Sequence, residues 1–259
     1  MTLLAKAYGD SQLKQADRLL EIMLEGLKVE FKIDGATSRG WIRISLSGED
    51  EKAALHYLSK EIGLCPVSLA SVEKLSTIKG RLVSPEKSKD AVSLDVGVLE
   101  PGAVDAAVSL PTLQAQLGDG RKIALRKLVE LFGFCDNLPL TAKISSLDKE
   151  GGQIEAVLAE AQLSKFYSWT DSFLDRLVVL GAPQSEVRLA IDRTGFQRDV
   201  VDIEPLGLFE HAIVCKLGTD AAGLIPRLGR CLSSTVFSVF SPRRLLEFFG
   251  EDSNLFALS

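Results

Sequence analysis

The chain has 259 residues, of which 46% are hydrophobic and 25% charged, with a formal net charge of -5 and a pI near 5.3. This composition is that of a folded protein and excludes a largely disordered one. The acidic balance excludes a protein whose whole surface attracts nucleic acid, so any phosphate binding must come from a local basic cluster. The length predicts about two to three domains.

The cysteines and the apolar segments indicate the compartment. The cysteines show no CxxC spacing, which argues against a zinc site and against a disulfide framework. We expect buried thiols in a reducing cytoplasm, at Cys65, Cys135, Cys215 and Cys231. No stretch reaches the roughly 18 apolar residues of a membrane span, and the N-terminal sequence MTLLAKAYGD lacks the basic start of a signal peptide. The sequence therefore predicts a cytoplasmic protein without membrane segment, metal or cofactor.

Residues 1–73 show the order strand, helix, strand, strand, helix, strand. Apolar residues spaced three and four apart indicate the helices, and runs of apolar and β-branched residues indicate the strands. The predicted elements cover residues 2–7, 13–27, 28–33, 40–46, 50–62 and 66–72. This order predicts a ferredoxin-like domain.

Residues 74–162 are dominated by apolar residues in strict alternation. Val92, Leu94, Val96 and Val98 would share one face of a strand, and the same period recurs before and after the turn at residues 148–152. We predict a five-stranded barrel with strands near residues 79–83, 90–98, 105–110, 142–147 and 154–158. Two helices at residues 112–117 and 123–132 form an insertion between the third and fourth strands.

The insertion contains the densest basic cluster of the chain, in the sequence GRKIALRKLVELFGF. Arg121, Lys122, Arg126 and Lys127 lie about one helical turn apart, so they form either a nucleic-acid contact or the solvated face of an amphipathic helix. Other candidate nucleic-acid contacts are Lys79, Arg81, Arg227, Arg230, Arg243 and Arg244.

Residues 163–259 predict an α+β domain. A long predicted helix covers residues 161–180 and ends at the break 181–183. The other predicted helices cover residues 184–194, 220–232 and 242–249, and the predicted strands cover residues 200–203, 211–217 and 235–240. At one strand-to-helix junction, Gly218 precedes Thr219 and Asp220. Such a junction either cradles an anion on free backbone N–H groups or provides an ordinary helix cap.

The sequence contains no constellation typical of catalysis. The two histidines, His56 and His211, stand in apolar surroundings, and a core or surface histidine explains each of them better than a catalytic base. Asp202 and Glu204 would share one face of a strand, and a solvated face explains them better than an acid-base pair. The chain is therefore not predicted to be an enzyme.

The barrel segments KGRLV, DAVSLDVGV, DAAVSLPTL and LTAKISSLDKEGGQIEAVLAE resemble the S1-type OB barrel of RNA-binding proteins. The resemblance implies RNA or a ribonucleoprotein as partner. It departs at the aromatic residues that usually stack on bases from the second and third strands. In this sequence those positions carry Ser93, Asp95, Ala106 and Val108.

Two further resemblances concern the C-terminal part and the whole chain. The run HAIVCKLGTDAAGLIPRLGRCL is similar to the strand-to-helix junction of amino-acid-binding ACT domains. That similarity implies a small-molecule site at Gly218, Thr219, Asp220 and Gly223. Through VELFGFCDNLPL and EHAIVCKLGTDAAGLIPRLG the chain resembles an uncharacterised archaeal family, a conserved domain of unknown function.

Two hypotheses on function follow. The first is a non-enzymatic RNA-binding or ribonucleoprotein-associated factor, favoured by the barrel and the basic clusters. The second is a regulatory binder of an amino-acid-like small molecule through the C-terminal domain. The predicted architecture is α+β and multidomain, with boundaries at residues 1–73, 74–162 and 163–259.

Overall fold

The computed structural model of the chain describes residues 1–250. Its N-terminal domain contains β1 (Thr2–Lys6), α1 (Asp10–Met23), β2 (Val29–Ala36), β3 (Trp41–Gly48) and α2 (Glu51–Glu61). The three strands form an antiparallel sheet of order β1-β3-β2. The apolar faces of α1 and α2 pack on this sheet and form the core of the domain.

The middle domain is a closed barrel of five strands, as the alternation in the sequence predicts. Its elements are β4 (Val67–Ser68), β5 (Thr77–Val83), β6 (Ala91–Glu100), β7 (Val104–Ser109), α3 (Leu110–Leu117), α4 (Leu125–Leu131), β8 (Pro139–Asp148) and β9 (Gln153–Leu158). The barrel order is β6-β5-β8-β9-β7, and β7 pairs again with β6. All neighbours are antiparallel except β7 and β9. The insertion, α3 and α4, packs its apolar residues into the barrel core.

The strand predicted over residues 66–72 does not close the N-terminal sheet. Its first residues form β4, which pairs in parallel with β6 of the barrel. Beside β1 there is only a single bridge, between Leu3 and Leu64. Pro66 has no N–H to donate, and Val67 has a φ of 59°, so the chain turns away from the sheet after Leu64.

The C-terminal domain is α+β, as predicted. It contains α5 (Glu160–Asp171), β10 (Arg176–Leu180), α6 (Gln184–Thr194), β11 (Val200–Pro205), β12 (Glu210–Cys215), α7 (Ala221–Cys231), β13 (Val236–Phe240) and α8 (Pro242–Phe249). Its antiparallel sheet has the order β11-β12-β10-β13. Helices α6 and α7 cover one face, and the other face contributes to the same apolar core as the barrel, α5 and α8.

The prediction of one helix over residues 161–180 is wrong in its second half. Helix α5 ends at Asp171, and Arg176–Leu180 forms β10, which lies inside the sheet with all five residues buried. A short, continuously apolar run fits the period of a buried strand as well as that of a helix. Phe173, with a φ of 56°, ends the helical conformation between the two elements.

The predicted domain boundaries stay predictions. The boundary at residue 162 falls inside α5, which starts at Glu160. Residues 251–259 of the predicted third domain lie outside the described residues.

Asp95 on β6 joins the barrel to the N-terminal domain. It is fully buried, and its carboxylate lies 2.7 Å from the Lys6 ammonium and accepts a hydrogen bond of 3.0 Å from the Trp41 indole. The guanidinium of Arg39 lies 3.3 Å from Asp95 and 2.6 Å from Asp105 on β7. The N-terminal domain therefore covers part of the outer face of β6 and β7.

Arg81 on β5 connects all three domains. It is only 4% exposed, and its Nη2 donates to Glu210 of β12 at 2.8 Å and to the Leu4 carbonyl of β1 at 3.1 Å. Next to Glu210, Phe209 is fully buried in the apolar core of the N-terminal domain. These contacts join the three domains into one packed unit.

Because His211 on β12 is buried, we expect the folded protein to lose free energy of unfolding in acid. It is 3% exposed, and burial lowers its pKa from the ordinary 6.5 to about 4. Between these values the unfolded chain binds a proton that the folded chain does not, so stability is full above pH 6.5 and falls towards pH 4. We expect His211 to contribute a loss of about 3 kcal/mol over this window, at about 1.4 kcal/mol per pH unit, while the raised pKa of Glu210 acts in the opposite direction. Urea denaturation at several pH values measures it.

Single substitutions of the two histidines provide the test and its control. His211→Gln should flatten the acid dependence, and His56→Gln, at an exposed position of α2, should leave it unchanged. An equally steep loss in the His211→Gln protein would show that other groups cause the acid sensitivity.

The cysteines are all unpaired, but only part of the prediction of buried thiols is confirmed. Cys65 and Cys215 are buried and Cys135 is half-buried, and burial raises the pKa of each of these thiols to about 12. Cys231, at the end of α7, is exposed.

Across residues 1–250, no helix has the length and apolar character needed to cross a membrane.

Candidate nucleic-acid interface

The basic residues of the insertion lie beside the last helix, α8. The Lys127 ammonium is 5.5 Å from the ring centre of Phe248, and the Arg121 guanidinium is 5.5 Å from that of Phe249. These are cation–π contacts between the barrel insertion and the C-terminal domain. We call the combined surface the α4–α8 surface; it consists of Arg121, Lys122, Arg126, Lys127, Arg243, Arg244 and Phe248.

The local sequence explains why α8 presents this surface. Pro242 occupies the first turn of α8, where the missing N–H is not needed. Leu245 and Phe249 are buried, which leaves Arg244 and Phe248, four residues apart, together on an exposed face. Phe248 is 41% exposed, so one side of an aromatic ring remains accessible next to cations from two domains.

The positive charges of α8 lie at the end of the helix where the helix dipole disfavours them. Arg243 and Arg244 lie in its first turn, where the positive end of the helix dipole disfavours cations by about 0.3–1 kcal/mol each. Arg243 is compensated by an exposed ion pair of 2.8 Å with Glu247. Within the described residues Arg244 has no such partner. Two arginines at an unfavourable end point to a requirement other than stability of the helix.

The insertion carries little compensating charge. Arg121, Lys122 and Arg126 are exposed and form no ion pair within residues 1–250. Lys127 pairs with Glu130 at 3.1 Å, a surface contact that contributes little stability. The α4–α8 surface is therefore locally basic on a chain whose overall charge is negative.

The other predicted nucleic-acid contacts lie elsewhere. Arg81 is buried in its pair with Glu210, so it is not available on the surface for RNA. Lys79 is exposed and lines a cleft between the domains. Arg227 and Arg230 belong to α7, on the opposite face of the C-terminal sheet from α8, and Arg227 lies 4.9 Å over the Phe196 ring.

The predicted small-molecule residues are only partly brought together. Gly218, Thr219 and Asp220 line an open cleft of about 440 Å³, together with Arg243 and Arg244. Asp220 is the N-cap of α7, since its carboxylate accepts a hydrogen bond of 3.0 Å from a backbone N–H in the first turn. Gly223 does not line this cleft.

Sequence reasoning missed Phe248 and misassigned a face of β7. The spacing of Arg244 and Phe248, four residues apart in a helix that starts with proline, is the signal that could have identified the aromatic residue. Ala106 and Val108 are fully buried, so Ala107 occupies the outer face instead. A one-residue error exchanges the two faces of a strand.

Among the described residues no group of three or more histidine, cysteine or carboxylate side chains could hold a metal ion.

Family models match three consecutive parts of the chain. The DUF2110 N-terminal domain matches residues 1–66, the DUF2110 central domain residues 72–170 and the DUF2110 C-terminal domain residues 174–240. The chain belongs to the DUF2110 family. This membership confirms the resemblance to a domain of unknown function. No curated protein matches the chain.

Two solved structures show weak similarity to this DUF2110 chain. One is a chain of the a/eIF2alpha-aDim2p-rRNA complex from Pyrococcus horikoshii OT3, with 13% identity, a TM-score of 0.25 and coverage of 48% of this chain and 64% of that chain. The other is the intact alpha subunit of aIF2 from Pyrococcus abyssi, with 10% identity, a TM-score of 0.25 and coverage of 65% and 97%.

Proposed function

We propose that the protein is a non-enzymatic RNA-binding or ribonucleoprotein-associated factor and that the α4–α8 surface contacts the RNA. The supporting observation is the convergence of cations from two domains near the exposed Phe248 ring, which Lys127 contacts. Of these cations, Arg121, Lys122, Arg126 and Arg244 have no ion pair within residues 1–250. Single-stranded RNA is bound by such a combination, because cations contact the phosphates and an aromatic ring stacks on a base.

The barrel topology supports the same class of function. In chain order its strands pair 1-2-3-5-4-1, with the third and fifth parallel, which is the order of the OB fold. OB folds bind oligonucleotides on the face of the second and third strands. Here Asp95 and Asp105 on that face are paired with the N-terminal domain, so we assign RNA binding to the insertion instead.

The sheet orders of the two flanking domains support the ferredoxin-like and ACT-like assignments. The C-terminal sheet has the order 4-1-3-2 of a βαββαβ unit, which suits a ferredoxin-like or ACT-like domain. The N-terminal sheet repeats the order 1-3-2 and suits the same assignment with a reduced fourth strand. The unpaired cysteines suit a reducing cytoplasm.

Changing Arg121, Lys122, Arg126 and Lys127 together to glutamine tests the proposal. Each lost phosphate contact lowers the slope of log affinity against log salt by about 0.7 for single strands, so we expect a slope smaller by about 3. Affinity at low salt should fall by roughly 100-fold or more. Fluorescence anisotropy with a labelled single-stranded RNA, measured at several salt concentrations, gives both quantities.

A matched control and one aromatic variant complete the experiment. Glutamine at the exposed residues Lys14, Lys32, Lys52 and Lys60 removes the same charge from the N-terminal domain and should preserve binding. Phe248→Ala should reduce affinity by roughly tenfold without changing the salt slope, because stacking releases no counterions. Unchanged affinity and slope in the insertion variant, or no salt-dependent binding by the wild type, would refute the proposal.

The runner-up function is a regulatory binder of an amino-acid-like molecule. It is favoured by the cleft at Gly218, Thr219 and Asp220, which also presents Arg243 and Arg244 to a carboxylate. A thermal shift by one of the amino acids, abolished by Arg244→Gln, would support it. If no amino acid changes the melting temperature, this second function is excluded.

A further inference from the structure

A second cleft, of about 400 Å³, opens where the three domains meet. Its walls are β5 and β8 of the barrel, the start of α5, the turn at Pro205 to Gly207, and Leu4 and Ile62 of the N-terminal domain. None of its residues belongs to the α4–α8 surface. Its size lies in the range of small-molecule sites, roughly 300–1,000 Å³.

Three cationic side chains line this cleft. Lys79 and Arg81 are two residues apart on β5, so both project from the outer face of the barrel. Lys165 reaches the cleft from α5. Glu61, at the end of α2, is the one carboxylate among the lining residues.

Strand β8 connects the two lysine-bearing elements, β5 and α5. Thr141 of β8 stands opposite Lys79 in the barrel register. The Thr141 N–H donates to the buried Gln162 side chain at 3.0 Å, which fixes the first turn of α5 against the barrel. Lys165 lies three residues further along the same helix face, so its position relative to Lys79 is set by the fold.

Arg81 is buried with unused hydrogen-bonding capacity. It is 4% exposed and donates only through Nη2, to Glu210 and to the Leu4 carbonyl. Within the described residues its buried Nε has no partner, and neither does Oε1 of Glu210. Buried donors are nearly always satisfied, so the unpaired Nε of a guanidinium in a cleft wall indicates a missing acceptor.

The charges near Lys165 also favour a bound anion. Burial lowers the pKa of Lys165, the positive charges of Arg176 and Lys79 lower it further, and Glu204 opposes them. A negative group between the two lysines would offset both the burial and the repulsion. Lys79 has no ion pair within residues 1–250, which leaves its ammonium free for such a group.

We infer that this three-domain cleft binds a small organic anion whose phosphate or carboxylate group lies between Lys79 and Lys165 and is directed towards Arg81. Its apolar part would lie against Leu140 and Leu206, which line the same cleft. The site goes beyond the RNA-binding function and uses different residues. Because the walls come from all three domains, the ligand would also hold the domains together.

Ligand titration of the full chain at constant ionic strength tests the inference. The probes are AMP for a phosphate ester, inorganic phosphate, and glutamate for a carboxylate, with chloride as the blank. Tryptophan fluorescence reports binding directly, since the Lys165 ammonium lies 5.3 Å over the Trp169 ring. Saturable binding of AMP, phosphate or glutamate is expected, with a higher melting temperature.

Two paired variants decide the site. Lys79→Gln with Lys165→Gln should weaken binding by at least about tenfold, since hydrogen bonds to charged groups are lost. Lys87→Gln with Lys89→Gln, exposed on a barrel loop outside the cleft, should bind as the wild type does. Arg81 is left intact because it is needed for packing.

The outcomes separate this inference from the RNA proposal. No saturable binding of any probe, or equal binding by the cleft variant, overturns the small-anion site. If the cleft variant loses RNA affinity while no probe binds the wild type, the cleft serves an RNA phosphate and the inference is also overturned. The insertion variant should retain the small anion whether or not it binds RNA.

Discussion

Replacing Asp95 with alanine is expected to lower the free energy of unfolding by about 3–5 kcal/mol, because it leaves a buried cation without its partner. The ammonium of Lys6 is 7% exposed and lies 2.7 Å from this carboxylate. The Trp41 indole N–H and the Gly97 backbone N–H, both bonded to Asp95 at 3.0 Å, would lose their acceptor as well. Urea denaturation measures the effect.

Two variants isolate the contribution of the buried charge. Lys6→Met combined with Asp95→Leu removes both charges and should recover the part of the loss that the unpaired Lys6 causes, since an apolar pair of similar volume often replaces a buried ion pair without cost. The Trp41 and Gly97 N–H groups remain without an acceptor in this variant. Glu155→Ala removes an exposed carboxylate from the same barrel and should change stability by about 0.5 kcal/mol or less. An Asp95→Ala protein as stable as the wild type would show that the cluster does not hold the two domains.

Arg81→Ala should cost a similar amount, about 3–5 kcal/mol, because Glu210 would remain fully buried as an unpaired carboxylate. Burial already raises the pKa of Glu210, and the charge of Arg81 opposes that rise. Without Arg81 the pKa should rise further. The measurement is the unfolding free energy of both proteins at pH 8 and pH 5.

The sign of the pH effect follows from the raised pKa. A carboxyl whose pKa is higher in the folded chain stabilises that chain in acid and loses this contribution as the pH rises. The deficit of Arg81→Ala should therefore be smaller at pH 5 than at pH 8. Arg81→Met with Glu210→Leu should show no such dependence. A deficit that is equal at both pH values would mean that Glu210 is not the group left unpaired.

Much of the fold could be predicted from local pattern. Strict alternation in β6, with Val92 and Leu94 on one face, identifies a barrel strand because a barrel has one buried and one outer face. The strand β10 could not be identified in this way. Its residues are buried on both sides, so the sequence has no alternation, and its role as an inner strand depends on partners 30 or more residues away.

The candidate sites show the same division between local and distant information. The cations from Arg121 to Lys127 are visible in the sequence as a local cluster. The predicted helical spacing is wrong for Arg121 and Lys122, because α4 starts only at Leu125. That Phe248 lies beside Lys127 is a contact between domains, with no local signature. Arg81 appears in the sequence as one more cation on a strand, and only the position of Glu210 shows that it is buried.

Phe209 also constrains the order of events during synthesis. The family model of the N-terminal domain ends at residue 66, but the core of that domain includes the Phe209 ring, which comes from the turn before β12. At about 5–20 residues per second, a ribosome needs roughly 7–30 s to extend the chain from one point to the other. During that interval the nascent domain exposes an apolar pocket that nothing yet fills. Chaperones or the ribosome surface would have the opportunity to cover it until translation delivers the missing side chain.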